Sequence, residues 1–207
     1  MLSDTQEGFR ASRGTARQLR NLLNALEDAH MGDADGKCWP ILGMYVDFSS
    51  AFNMCDGDKL LCIMYDLGFS ADAVRVVAGI YSGAATHLDL PCGTSAPIPI
   101  TRGTIQGDTL SPFLFLIYIE PLLRWLHVGG RGYRYNCLPD AGPGSNEQYH
   151  SSSQGYCDDT LLLTGGRGRT AAQARTDLRL QALKLERFSA STAERRAPGL
   201  GIPVNIE

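Results

Sequence analysis

Three aspartates could do chemistry because each interrupts or ends a run of apolar residues. Asp47 lies near the end of ILGMYVDF at residues 41–48, and Asp158 and Asp159 stand side by side in GYCDDTLLLT at residues 155–164. Two carboxylates about 4 Å apart repel by roughly 4 kcal/mol at an effective dielectric constant near 20. Solvent, a basic partner or a bound cation must offset that repulsion.

A bound cation would give these carboxylates a chemical function. If the apolar segments that carry Asp47 and Asp158 are strands of one sheet, their carboxylates could meet at one rim. Carboxylate oxygens suit Mg²⁺, and two such ions can activate an attacking hydroxyl and stabilise a leaving pyrophosphate. Adjacent aspartates are also common in turns, where they bond their own backbone. Taken alone, the Asp158–Asp159 pair favours the turn over the metal site.

The elements that must position these aspartates are helices and strands in mixed order. In chain order, the periodicity and capping residues predict a helix over about 15–29, a strand over 41–48, a helix from Asp56 to Gly68, a helix capped by Ser70, a helix from Ser111-Pro112 to about Leu126, a strand over 156–164, a helix over 170–188 and a short strand near the C-terminus. Residues 86–100 look strand-like but contain three prolines, which predicts a sheet edge. Because strands and helices do not alternate strictly, this order favours an α+β fold.

Composition narrows the class of protein. The chain has 207 residues and 43% hydrophobic content, enough for one large domain with a core. No signal peptide is visible, and the longest apolar stretch, 112–119, is too short to span a bilayer. We therefore expect a soluble protein of the nucleus or cytoplasm, with no membrane partner and with its six cysteines as free thiols. The net charge of −3 argues weakly against nucleic acid, although residues 165–207 alone carry +4.

Four motifs, two of which contain these aspartates, occur in a fixed order along the chain. They are QEGFR at 6–10, DFSSAF at 47–52, RGTIQGDTLSP at 102–112 and YCDD at 156–159. With these motifs the chain resembles the reverse transcriptases, most closely those of non-LTR retrotransposons, over nearly its whole length. The resemblance implies a right-hand polymerase fold, with an antiparallel palm sheet packed on helices, partial fingers and no thumb.

The resemblance also implies a division of the chain. It assigns 1–40 to partial fingers and 41–207 to the palm, within which 41–69 carry the first metal-binding motif, 101–126 the nucleotide and template loop with its helix, 151–165 the YCDD hairpin, and 170–207 the last palm helix and strand. The basic fingers segment that grips the triphosphate in relatives is expected upstream of residue 1. The chain is thus expected to be a piece of a longer retroelement polyprotein.

By the same resemblance, two Mg²⁺ ions, or Mn²⁺ in their place, are bound by Asp47, Asp158 and the carbonyl of Phe48. Asp159 completes the catalytic acidic site in a less direct role. These four positions are the implied metal ligands, and the three aspartates are the implied catalytic residues.

Other positions are implied to contact substrates. Phe52 matches the aromatic residue beneath the sugar of the incoming nucleotide, where its ring excludes a ribose 2′-OH; without the motif it would be taken for a core aromatic. Gln106 and Gly107 match the loop against the incoming nucleotide and template base. Tyr156 is expected near the primer terminus. Arg10 and Arg13 are expected near the template backbone, with a solvated arginine face as the alternative.

The function implied is that of an RNA-directed DNA polymerase core, which transfers a nucleotide from a dNTP to a DNA primer 3′-OH on an RNA template. One alternative is a truncated or domesticated fragment that only binds nucleic acid or protein. Asn53 stands where many relatives have a second aspartate, which supports that alternative, whereas the intact Asp47 and Asp158 oppose it. A second alternative, an RNA-dependent RNA polymerase, is disfavoured by Phe52.

Overall fold

The computed structural model describes residues 2–105, 107–135, 150–193 and 204–206, with residues 191–193 and 204–206 described by their backbone only. Its helices are α1 (Thr15–Met31), α2 (Gly57–Asp66), α3 (Ala71–Tyr81), α4 (Ser111–His127) and α5 (Ala171–Ala193), with a 3-10 turn at Ala51–Met54. Its strands are β1 (Ile41–Phe48), β2 (Ala85–Thr86), β3 (Asp89–Leu90), β4 (Gly93–Thr94), β5 (Ile98–Pro99), β6 (Tyr133–Arg134), β7 (His150–Ser151), β8 (Ser153–Tyr156), β9 (Asp159–Gly166) and β10 (Val204–Ile206). This mixture confirms the α+β class.

The chain forms two compact units. The first, the middle unit, comprises Ser50–Ile119, and the second, the sheet unit, combines Leu2–Ser49 with Glu120–Glu207. The boundaries fall just after β1 and inside α4. The names fingers and palm remain predictions.

The sheet unit is built on a mostly antiparallel sheet. In the described residues its strand order is β10-β1-β9-β6-β7, and β8 pairs with β9 as a hairpin. Strand β1 is antiparallel to both of its neighbours, β9 and β10, whereas β6 runs parallel to β9. The two strands that carry the candidate aspartates are therefore direct neighbours.

Helices cover both faces of β9 in this sheet. On one face, Leu161 and Leu163 of β9 form a core cluster with Ala25 and Ala29 of α1 and with Tyr133 of β6. On the other face α5 packs against β9 and β1, where the Thr164 hydroxyl donates to the Ala174 carbonyl at 2.9 Å. Packing on both sides explains why every residue of β9 after the first is buried.

Local capping sets the helices of the middle unit, as predicted. The Asp56 side chain accepts from the Lys59 N–H at 3.1 Å, and the Ser70 hydroxyl accepts from the Ala73 N–H at 3.2 Å. Gly68 ends the first of these helices with φ of 87°, a left-handed conformation that glycine adopts without steric cost.

The prediction for residues 86–100 is wrong. They do not lie at an edge of the main sheet: β2 pairs with β5 and β3 with β4 in two separate, exposed ladders of two residues each. Proline lacks the N–H that a continuing ladder needs, and Gly93 has φ of 124°. Each ladder therefore stops after two pairs.

All five cysteines in the described part of the chain are free thiols, as expected, and Cys137 lies outside it. Among the helices that the structure describes, none has both the length and the apolar character to cross a bilayer.

Candidate active site

The pairing of β1 with β9 brings the three aspartates to one end of the sheet. The register runs from Ile41 opposite Gly165 to Val46 opposite Thr160, and one step further it sets Asp47 beside Asp159. Directly opposed residues of an antiparallel pair point to the same face. Asp158 occupies the turn that joins β8 to β9. Residues more than a hundred positions apart in sequence thus share one rim.

The charges at this rim act on one another. The pKa of the Asp159 carboxyl is raised, first by partial burial, then by the negative charge of Asp158 and then by that of Asp47. All three causes disfavour the ionised form, so the rim has an excess of negative charge that a cation would relieve. Carboxylate donors of this kind fit Mg²⁺.

The carboxylates do not form a closed cage. In the part of the chain that the structure describes, no group of three or more His, Cys, Asp or Glu side chains is arranged to hold a metal ion. Phe48, the other predicted ligand, has a buried side chain, so only its backbone carbonyl could serve. The metal roles of Asp47, Phe48, Asp158 and Asp159 therefore remain predictions.

The turn that carries Asp158 has an unusual backbone. Cys157 adopts φ of 61°, a left-handed conformation that costs a non-glycine residue roughly 1–2 kcal/mol. Burial, followed by the charge of Asp158, raises the pKa of the Cys157 thiol to about 12. The thiol therefore stays protonated at neutral pH in the cation-free protein.

Gln6 holds this turn, a role that the sequence analysis missed. Its side chain is 1% exposed. Its Oε1 accepts from the Cys157 N–H at 2.8 Å, and its Nε2 donates to the Cys157 carbonyl at 3.0 Å. The QEGFR motif was the available signal, but only the fold shows what its glutamine contacts.

A groove of about 260 Å³ opens beside the acidic rim. It is lined by α1, by Tyr45 of β1 and by the β8–β9 hairpin, including Tyr156, Asp159 and Leu161. Tyr156, the predicted primer contact, thus lines the same groove as one of the three aspartates. Its wall is mostly apolar, which suits the face of a base or sugar better than a phosphate.

Arg10 and Arg13 are engaged within the N-terminal loop. Arg10 donates to the carbonyls of Ser3 and Gln6, and Arg13 pairs with Asp4 at 2.6 Å and with Glu7 at 3.5 Å. The hydrogen bond from Arg13 and its charge lower the pKa of the Asp4 carboxyl. Contact of the two arginines with a template remains a prediction; in the structure they fasten the loop that carries Gln6.

The predicted nucleotide-binding residues belong to the middle unit. The Phe52 ring lies 4.6 Å from that of Phe115, tilted by 30°. Gly103 N–H donates to the Cys55 carbonyl at 2.8 Å and Thr104 N–H to the Phe52 carbonyl at 2.9 Å. These bonds fix the start of the RGTIQGD loop against the end of DFSSAF and the residues just after it.

Within that loop, Gly107 has φ of 86° and open space where a Cβ would point, so its glycine is required by conformation and not by crowding in the described structure. Gln106 lies outside the described residues. The contacts of both residues with a nucleotide remain predictions.

Comparison with known proteins agrees with the four motifs. A sequence model of the reverse transcriptase (RNA-dependent DNA polymerase) family matches residues 1–192. The chain belongs to this family.

The chain is also similar to a 115 kDa protein in the type-1 retrotransposable element R1DM of Drosophila melanogaster, with 27% identity over 133 residues. The match covers 64% of this chain and 11% of that protein. The chain therefore corresponds to a small part of the relative's length.

Proposed function

We propose that this chain is the polymerase core of a retroelement protein, which transfers a nucleotide from a dNTP to a DNA primer 3′-OH on an RNA template. The supporting observation is the β1–β9 register, which brings Asp47 to the rim that carries Asp158 and Asp159. Family membership supports the reaction class, and similarity to a retrotransposon protein supports its origin in a longer polyprotein. Such an enzyme would work in the nucleus or cytoplasm.

The acidic rim would hold two Mg²⁺ ions, or Mn²⁺, through Asp47, Asp158 and the Phe48 carbonyl. Asp159 would add a further negative charge to the site in a less direct role. Bound there, such ions supply activation of a hydroxyl nucleophile and stabilisation of the leaving pyrophosphate. The protein's part is to hold its carboxylates in fixed positions on paired strands, so that little reorganisation is needed during reaction. Partial burial is the largest cause of the raised pKa of Asp159, and the negative charges of Asp158 and Asp47 add to it; those two neighbouring charges support this assignment.

Other side chains would select and orient substrates. Phe52 would block a ribose 2′-OH with a ring that Phe115 supports. Gln106 and Gly107 would lie against the nucleotide, where a glycine permits close backbone approach. Tyr156 would contact the primer from the groove wall, and Arg10 and Arg13 would lie near the template. In this proposal, 1–40 form part of the fingers and 41–207 the palm.

Extension of oligo(dT) on poly(rA) with Mg²⁺ tests the reaction. We expect Asp158→Asn to lose most or all incorporation, because it removes a ligand charge without changing side-chain volume. The matched control is Asp66→Asn at the exposed end of α2, which should extend like the wild type. Equal incorporation by wild type and Asp158→Asn would refute the proposal. A wild-type chain that binds the primer–template without extending it would support the binding-only alternative.

A further inference from the structure

The side chain of Gln6 is committed to the turn that carries Asp158. Its Oε1 accepts from two backbone N–H groups, those of Cys157 at 2.8 Å and Gly8 at 2.9 Å, and its Nε2 donates to the Cys157 carbonyl at 3.0 Å. Both peptide groups that flank the Cys157 Cα are thus bonded by one amide. These groups are buried, so water does not replace the bonds easily.

The turn needs such a partner because of its backbone conformation. Cys157 has φ of 61°, and a residue with a Cβ holds that conformation only when its surroundings favour it. A rotation of Cys157 towards an extended φ would redirect the next residue, Asp158. The direction of the Asp158 carboxylate therefore depends on what fixes Cys157.

Gln6 is not needed merely to attach the N-terminal segment. That segment is already held by the backbone bonds of Gly155 N–H to the Thr5 carbonyl at 2.8 Å and of Glu7 N–H to the Gly155 carbonyl at 2.9 Å. Nearer the N-terminus, both carboxylate oxygens of Glu120 accept from the Ser3 N–H. These bonds hold the segment that carries Gln6 beside the hairpin. The Gln6 side chain then makes two of its three hydrogen bonds to Cys157.

Close approach at two glycines makes this contact specific. A Cβ at Gly8 would lie 2.4 Å from the Cys157 nitrogen, and a Cβ at Gly155 would lie 3.2 Å from the Gln6 Nε2. The segment can therefore lie against the hairpin only with glycine at position 8.

We propose that Gln6 is a positioning residue that fixes the left-handed turn at Cys157 and thereby aims Asp158 at the cation site. This inference rests on the function proposed above. Gln6 touches neither substrate nor cation in this proposal; it acts through the backbone of Cys157. Its loss should weaken cation binding by folded protein, by about tenfold, as is typical when a group that orients a ligand is removed.

The test compares four variants of the full chain with the wild type. Gln6→Ala removes the amide, and Gln6→Met removes the hydrogen bonds while it keeps the length and most of the packing, which guards against simple misfolding. Gln181→Ala is the matched control, since Gln181 is also a fully buried glutamine of the sheet unit, on α5. Asp158→Asn reports whether binding occurs at the proposed site.

Three measurements are needed: thermal unfolding, amide hydrogen exchange at Cys157 without cations, and Mn²⁺ affinity by electron paramagnetic resonance below the unfolding transition. In Gln6→Met we expect Cys157 exchange at least tenfold faster and Mn²⁺ binding about tenfold weaker. Gln181→Ala should change neither. A Gln6→Met variant that folds and binds Mn²⁺ like the wild type would overturn the positioning role, even if its exchange is faster.

The Asp158→Asn variant separates two kinds of failure. Mn²⁺ binding that Asp158→Asn abolishes but Gln6→Met leaves intact would overturn only the role of Gln6. Mn²⁺ binding that Asp158→Asn does not weaken would overturn the proposed metal site, and the role of Gln6 with it.

Discussion

Replacement of Asp159 by asparagine should have opposite effects on stability without and with Mg²⁺. Asparagine has nearly the same volume as aspartate but no charge, so it relieves repulsion from Asp158 and Asp47. The same substitution weakens the rim as a cation site. If Asp159 only shaped the turn, the effect of its replacement on stability would not depend on Mg²⁺.

The size of each effect follows from the exposure of the site and from binding linkage. Although Asp159 is partly buried by its neighbours, much of its surface remains accessible to solvent, so screening limits the gain in cation-free protein to about 0.5–1 kcal/mol. Mg²⁺ at a hundredfold excess over its dissociation constant would stabilise the wild type by about 2.7 kcal/mol. For a chain of this size each kcal/mol shifts Tm by about 2–4 °C. We therefore expect Asp159→Asn to melt about 1–4 °C higher in EDTA but to lose much of a Mg²⁺ shift of about 5–11 °C.

The pH dependence of stability provides a second check on the sign of the effect in EDTA. Burial and then repulsion raise the folded-state pKa of Asp159 above 3.8. The destabilising cost of its charge is therefore fully present above the folded-state pKa and vanishes below the unfolded-state value. The advantage of Asp159→Asn in EDTA should therefore shrink as the pH falls from 7 towards 3.8.

Thermal melts in EDTA and in Mg²⁺, with Asp66→Asn as the charge-matched control, measure both effects. The reasoning is refuted if Asp159→Asn melts lower than wild type in EDTA, or if Mg²⁺ shifts the wild type and Asp159→Asn equally.

Two further predictions concern glycine conformation and the proposed sugar gate. Gly165→Ala should lower the free energy of unfolding by more than about 2 kcal/mol, because its Cβ would lie 2.0 Å from the Pro40 carbonyl oxygen at φ of 115°. Gly68→Ala, with φ of 87° and open space around it, should cost only about 1–2 kcal/mol. Equal urea midpoints for the two variants would contradict this. Phe52→Ala should raise rNTP incorporation relative to dNTP by on the order of tenfold or more in the extension assay. Phe115→Ala, which removes the ring that packs against Phe52, should raise that ratio less; an unchanged ratio in Phe52→Ala would remove the gate assignment.

Features that depend on neighbouring residues could be predicted from the sequence. The caps at Asp56 and Ser70 are local, because the accepting side chain and the backbone N–H that donates to it lie three residues apart. The strand that ends near Asp47 follows from a run of apolar residues with clear boundaries. The placement of Asp158 and Asp159 at a hairpin tip follows from the same kind of signal.

Features that depend on distant contacts could not be predicted. The bond between Gln6 and Cys157 joins positions 151 apart, and no periodicity reports such a pairing. The prediction for residues 86–100 failed for a related reason. Their strand-forming character was recognised, but the local pattern does not identify whether they join the main sheet or pair among themselves. The left-handed Cys157 was also missed, since a cysteine gives no sign of positive φ.

The order of strands in the sheet has a consequence for synthesis of the chain on the ribosome. Strand β1 lies between β9 and β10, and both of these partners are translated long after it. At about 5–20 residues per second, the roughly 110 residues between β1 and β9 take on the order of 6–20 s to appear. During that interval the apolar β1 segment lacks both of its sheet partners, which leaves it open to premature association until the last strands emerge.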